Sequence, residues 1–585
     1  MQTLKATVSL FALLVLAPST SAIARAAELA SAPGAAAEDS DFRAKAKQFI
    51  QDELRLYPEF ASALGDHRYD DRVDDASAQG IARIVAHAHQ WKEIFGAIPS
   101  ISLTSADEID REWLTARADD ELLWSEQVRS YERDPSMYLP TSAVYLLIKR
   151  NFAPAAVRLR SVTAREGASL ANLSAARINL KPARVSQIAI DIELMQMTAT
   201  LDFFNKTLPE AFHDVADGPD KQAFSLANAA LVKQIEDYAK WLKNDLRPQA
   251  AGNYAIGADA FRRMLADADF VDTPLDELEQ IGEKEMRRLQ LQFVAIAKRI
   301  DPTHSPAEVA AALASKHPTA EQVIPAVTAG LASIRDYVVS QHIAAIPSNI
   351  LPIVAETPPF MRATTFASMD SPGPFEKATE AYFYVTLPDP SWPKEKQEQL
   401  LAFYSPPTIS DTSVHEVYPG HYVQFLNNRL NPDEVRAIYH SGSDSEGWAL
   451  YCEQMMLDEG LHDHNPKFRL AQLQMALMRA CRYLVGIRMH TRGMTVAQAT
   501  VFFEQNAYQT HHNAEVESLR GTDDPGYLRY QLGKLMILKL RDDVRRKQGA
   551  TFNLGKFHDA FLAQGAIPVP LVRRALLGPS AGPPL

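Results

Sequence analysis

The sequence predicts a mainly α protein, and three observations lead there. Apolar residues recur at helical spacing through most of the chain, only two short stretches carry a strand pattern, and no internal repeat recurs at a period of about 20 to 50 residues. A length of 585 residues alone would suggest about four domains. No composition shift divides residues 41–575, so a single helical body of one or two lobes is the expectation.

Taken from the N-terminus, the first element reads as an export signal. Lys5 precedes the largely apolar run Val8 to Ala17, and both Ala22-Ile23-Ala24 and Ala24-Arg25-Ala26 fit a small-residue cleavage site. The run is too short to span a bilayer, and no cysteine follows it for a lipid anchor. Residues 1–26 are expected to be removed as a signal peptide, with 27–40 as a flexible linker; an uncleaved N-terminal anchor is the alternative. The mature protein is expected in a periplasm or outside the cell. Leu231, Ile235, Tyr238 and Leu242 place a helix between Ser225 and Asp245. Leu278, Ile281, Leu289 and Phe293 place another after Thr273-Pro274, where threonine suits a cap and proline the first turn. Ile350 to Val354 is rich in branched apolar residues but contains Pro352. Tyr382 to Leu387 (YFYVTL) has the strongest strand pattern, and the prolines around it predict an edge strand among loops. Phe468 to His490 is a long, apolar-rich helical stretch. The tail 576–585 is rich in proline and glycine and is expected to fray.

Composition narrows the function. With 46% hydrophobic and 23% charged residues, wholesale disorder and collagen-like repeats are excluded. Acidic residues outnumber basic ones, 72 to 60, and a net charge of −12 repels a phosphate backbone, so nucleic acid is not an expected partner. Two cysteines cannot build a disulfide framework or a thiolate zinc cluster. Export would allow Cys452 and Cys481 to pair, but two separate buried thiols are the favoured reading.

Chemistry concentrates at residues 415 to 424, His-Glu-Val-Tyr-Pro-Gly-His-Tyr-Val-Gln. The zincin motif H-E-x-x-H sets two histidines on one helical face with glutamate as general base. Here the second histidine, His421, falls six positions on. Six residues turn an ideal helix by about 600°, roughly 240° net, which points the pair apart. Pro419 lacks an N–H and Gly420 tolerates unusual angles, so a bulge at this pair is expected to return His421 to the ligand position. Catalytic zinc usually takes three protein ligands and leaves one position open. Glu446, in DSEGWALY, is the best third ligand, while Trp448, Tyr451, Cys452 and Met455 form a separate apolar stripe. Locally, a surface or core histidine and a glutamate that merely stabilises a helix N-terminus explain the same residues.

HEVYPGH followed by EGWALY resembles the bacterial family catalogued as domain of unknown function 885, whose pattern is HE-x-x-PGH and then EGWA-x-Y. Tyr57-Pro58-Glu59 and Gly65 to Asp70 (GDHRYD) resemble its N-terminal signature, and ETPP at 356–359 and PGPF at 372–375 its proline-rich segment. The resemblance implies a zincin-like helical zinc metallopeptidase, akin in fold to helical carboxypeptidases and oligopeptidases, with two lobes around a deep groove. It also implies one zinc per chain on His415, His421 and Glu446, with Glu416 as base. Downstream, His490 resembles a family histidine, although Met494 replaces a usual tryptophan and Gly486 a frequent aspartate. Glu517 and Arg520 resemble E-x-x-R-Y with Gly521 in place of tyrosine, and Pro525-Gly526 with Tyr530 to Lys534 resembles the P-G…Y-x-x-G ending.

The expected function is hydrolysis of oligopeptides by metal-activated water, with Tyr530 and His490 as candidate oxyanion donors. Arg520 is a candidate for a substrate carboxylate, or a structural partner of Glu517. The YFYVTL strand is a candidate for adding a substrate backbone to a sheet. The competing readings are a non-catalytic helical binding or scaffold protein and a zinc hydrolase of a non-peptide amide or ester.

Overall fold

The structure, a computed structural model, describes residues 41–362 and 365–585. The signal peptide and linker expected at 1–40 lie outside the described residues. The chain is mainly helical, as expected, with one small sheet.

Two apolar interiors organise the helices. The smaller one gathers residues between Tyr138 and Ala250. Its main helices are α1 (Ala155–Asn179) and α2 (Pro219–Trp241), which pack together. The residues expected to face inward from α2, Leu231, Ile235, Tyr238 and Leu242, are all fully buried. The larger interior takes residues from Phe42 to Val128 and from Ala260 to Val572. It includes α3 (Leu275–Ile300), where Pro274 occupies the capping position and no side chain caps the helix. The threonine cap expected at Thr273 is therefore not made.

The sheet joins the two interiors. β1 (Ile353–Glu356), β2 (Ala367–Asp370) and β3 (Tyr382–Val385) lie in the order β1-β3-β2, with β3 parallel to β1 and antiparallel to β2. β3 is thus the central strand, not the expected edge. Alternation along it explains why it is covered: Phe383 and Val385 enter the larger interior, while Tyr384 on the other face bonds its hydroxyl to that of Tyr145 at 2.9 Å. The prolines bound β3 without interrupting its ladder, so they do not force it to an edge.

The remaining helices carry the site. α4 (Pro406–Glu416) begins with two prolines in its first turn, where no N–H is needed. It is followed by α5 (His421–Arg429), α6 (Gly442–Asp458), α7 (Pro466–Thr491), α8 (His511–Asp523), α9 (Arg529–Gln548) and α10 (Val569–Leu577). α6 and α9 cross at Gly447 and Gly533. A Cβ on Gly533 would lie 1.7 Å from the Ser443 carbonyl oxygen, and one on Gly447 would lie 2.6 Å from Gly533. The glycines of EGWA and Y-x-x-G are therefore two sides of one helix contact. Cys452 and Cys481 are buried and unpaired. The tail has partners: α10 runs to Leu577, and Arg573 donates to the carbonyls of Ala581 and Gly582.

Candidate metal centre

The two histidines reach one point because the chain changes direction between them. The expected bulge within one helix is not what forms. α4 ends at Glu416, Val417 leaves helical geometry at φ −120° and ψ −75°, Tyr418-Pro419 is cis, and α5 starts at His421. The reason is local. Pro419 has no N–H to continue the α4 ladder, and Gly420 bends back to donate its N–H to Val414 at 3.1 Å. A Cβ on Gly420 would lie 1.8 Å from the His415 carbonyl oxygen, so only glycine fits this corner. The Pro419 carbonyl accepts a hydrogen bond from Trp448 at 2.9 Å, which ties the corner to α6. The expected apolar stripe of α6, Trp448, Tyr451, Cys452 and Met455, is buried, leaving Glu446 free to face the histidines.

The imidazole rings of His415 and His421 lie 4.9 Å apart. Their Nε2 atoms stand 3.5 and 3.3 Å from Glu446 Oε2, and all three ligand atoms lie within 4.8 Å of one another. Bonds of about 2.0–2.1 Å in a tetrahedron would place ligand atoms about 3.3 Å apart, which the two distances to Glu446 match. The chemistry of the donors fits as well: Glu446 Oε2 is buried and has no hydrogen-bond partner among the described residues.

The surrounding charges favour a cation. Burial pushes the His415 pKa down, but Glu446, Glu453 and Glu416 outweigh it and raise the pKa to about 10. Burial likewise opposes ionisation of Glu446, yet His421 and His415 hold its carboxyl well below the usual range. Glu453 accepts from His415 Nδ1 at 2.7 Å and so turns Nε2 toward the site. Behind it, burial and the Glu453 carboxylate push Asp411 well above its ordinary range, so Asp411 keeps its proton beside Glu453.

A cavity opens beside His415, with Glu416 and Tyr530 also in its wall. Among the described residues none hydrogen-bonds the Glu416 side chain, which leaves it available at the cavity. The Tyr530 ring lies 6.3 Å from that of His415, and its hydroxyl accepts a hydrogen bond from Arg520 at 3.1 Å. Burial, with Glu446 adding to it, raises the Tyr530 pKa, so the hydroxyl keeps its proton.

Two expectations are corrected. His490 is not among the cavity's walls. Its Nε2 bonds the Gly521 carbonyl at 2.8 Å, its ring lies against Phe261, and burial lowers its pKa to about 4. It sits eight residues beyond Arg482, about 12 Å further along α7. Glu517 does not pair with Arg520; it takes Arg482 through both oxygens at 2.6 and 2.7 Å. From sequence, Glu453 is placed only on the helix face of Glu446 and Leu450, without a role, and Arg479 and Arg482 are not singled out. The only available signal for Glu453 was its place seven residues after Glu446, two turns along the same helix face.

Fold and site together define a helical protein with a buried His2Glu cluster beside an open cavity. The chain belongs to the family described as bacterial protein of unknown function, DUF885, which matches residues 58–576. It is similar to a candidate lipoprotein of unknown function from Shewanella oneidensis, with 25% identity, a TM-score of 0.77, and coverage of 92% of this chain and 100% of that one. A candidate lipoprotein from Colwellia psychrerythraea shares the fold at 17% identity and a TM-score of 0.77, covering 92% and 98% of the two chains. Among curated proteins no match to this chain is found.

Proposed function

We propose that this protein is an exported zinc-dependent peptidase that hydrolyses oligopeptides. The observation that carries the reading is the convergence of His415 Nε2 and His421 Nε2 on Glu446 Oε2, with His415 in the wall of a cavity that also presents Glu416. His415, His421 and Glu446 would hold the zinc ion, whose chemistry when bound is to polarise a carbonyl and to make a water acidic near neutral pH. Glu416 takes the proton of the attacking water and passes it to the departing amine. The Tyr530 hydroxyl, held by Arg520, donates to the oxygen on which charge develops. Glu453 holds the His415 tautomer.

A peptide backbone has a place to lie. β3 has a partner on each side, so the strand addition expected there is not available. β2 has β3 on one side only, and its first residue, Ala367, lines the cavity. An extended substrate beside β2 would reach the site. Export rests on the N-terminal signal pattern and on the description of the solved relatives as candidate lipoproteins. The test is incubation with a mixed peptide library, with and without chelator, read by mass spectrometry. Cleavage that stops on chelation and returns with zinc is the expected result; an intact library with zinc-loaded protein would refute the proposal.

A further inference from the structure

Three arginines share the cavity wall with His415 and Glu416. Arg479, Arg482 and Arg520 all line it, and their guanidinium carbons lie 6.0, 4.9 and 5.8 Å from the centre of the Tyr530 ring. Three like charges around one ring need compensation, and the protein supplies only part of it. Glu517 is spent on Arg482 with both oxygens. Arg520 gives one N–H to Tyr530 and stands 3.6 Å from Asp524. Arg479 has no carboxylate of its own. It is 7% exposed, its Nε has no partner, its Nη1 reaches the Met475 carbonyl only at 3.5 Å, and its Nη2 is 3.8 Å from a Glu453 that already serves His415. A buried guanidinium with five donors and so few acceptors is a site for an anion.

The position of this site defines the anion. The Tyr530 ring is in reach of both the arginines and His415, so the basic wall and the metal ligands are separated by about one side chain. An anion held there lies a short stretch of chain from a carbonyl placed at the candidate ligands, and the C-terminal carboxylate is the anion that a peptide carries so near a bond to be cut. Met475, Met478 and Phe366 offer apolar surface in the same cavity.

We infer that the cavity binds the free C-terminal carboxylate of a peptide on Arg479 and Arg520, with an apolar last side chain against Met475 and Met478. The protein then acts as a carboxypeptidase. Water adds across the last peptide bond: its C–N bond breaks, the carbonyl carbon gains the oxygen, the amine gains a proton, and one amino acid leaves. This rests on the peptidase reading for its chemistry, but the anion site stands on the arginines alone.

The test is calorimetric binding of N-benzoyl-Gly-Phe and of its C-terminal amide to the full chain. It is run on chelator-treated wild type and on zinc-loaded Glu416→Gln, so that turnover does not intervene. The free acid is expected to bind about tenfold or more tightly than the amide. Arg479→Gln should erase the preference, and Arg479→Lys, which keeps the charge, should retain part of it; melting temperatures confirm that both variants fold. Equal affinity for acid and amide, or no affinity for the acid, overturns the inference. Cleavage of amidated peptides at internal bonds by zinc-loaded protein, without preference for the acid, also overturns it while supporting the peptidase reading. Acid-selective binding with no hydrolysis of any peptide supports the anion site and counts against the peptidase reading instead.

Discussion

His67 and His415 both lie among carboxylates, and their surroundings differ in a way that sets a structural histidine apart from a candidate ligand. His67 has Asp70 Oδ2 at 2.9 Å on Nδ1 and Glu376 Oε2 at 3.2 Å on Nε2, and its ring stacks on Phe152 at 3.6 Å. One proton satisfies that cluster, because a charged imidazole donates to both acids. The cluster also fastens the GDHRYD segment to Glu376, which follows PGPF, and next to it the Phe375 N–H bonds the Leu64 carbonyl at 2.9 Å. At the other site only Nδ1 of His415 is taken, by Glu453. Two Nε2 atoms then converge on a single Glu446 oxygen. A proton on one imidazole leaves the other lone pair unsatisfied, whereas one cation accepts all three. The open cavity beside the second cluster completes the difference.

The largest break in that comparison comes from removing a ligand. His421→Ala should lower zinc content from about one per chain to near zero by elemental analysis and take hydrolysis to background. His67→Gln should leave zinc content unchanged. Glu416→Gln separates holding the metal from using it. It should keep about one zinc per chain and slow peptide hydrolysis by roughly 10²–10⁴-fold, as expected for loss of a general base. A smaller effect is expected from Tyr530→Phe, which removes a donor but no ligand. A loss of roughly 10²–10³-fold in kcat with little change in KM would mark a donor that acts in the transition state. An equal rise in KM with kcat unchanged would instead make Tyr530 a substrate-binding group.

How far these sites could be read in advance depended on whether their signal was local. The long helices follow from apolar periodicity, and α3 and α7 fall where the pattern puts them. The cluster of His415, His421 and Glu446, with Glu416 beside it, was legible as a candidate because two short motifs carry these residues. The corner between His415 and His421 was legible as a departure from a helix but not in its form, since a bulge and a break use the same proline and glycine. Strand order was not legible: β2 is only ASMD, with no β-branched or aromatic residue to mark it, and without β2 the central strand looks like an edge. Arg479 and Arg482 were hidden because α7 is buried along most of its length, so charged residues in it have no polar face to mark them. His490 was misplaced because it shares α7 with cavity residues, and a motif does not show which part of a long helix meets a site.

The smallest expected effect sharpens the comparison most, because it acts on His67 alone. Burial lowers the His67 pKa, but the bonds to Asp70 and Glu376 overcome this and raise it to about 9, above the ordinary value of about 6.5 for an unfolded chain. A proton held more tightly in the folded state stabilises that state. The contribution is fully present below about pH 6.5 and is lost as pH rises through about 9. His67 is 26% exposed, which discounts it to about 1–2 kcal/mol. Urea unfolding of wild type and His67→Gln should therefore differ by about that much at pH 6, and the difference should shrink toward zero at pH 10. Zinc content should be the same in both proteins across this range. A stability difference that does not change with pH would mean that His67 acts by its shape and its stacking on Phe152, and the charge contrast between the two clusters would have to be given up.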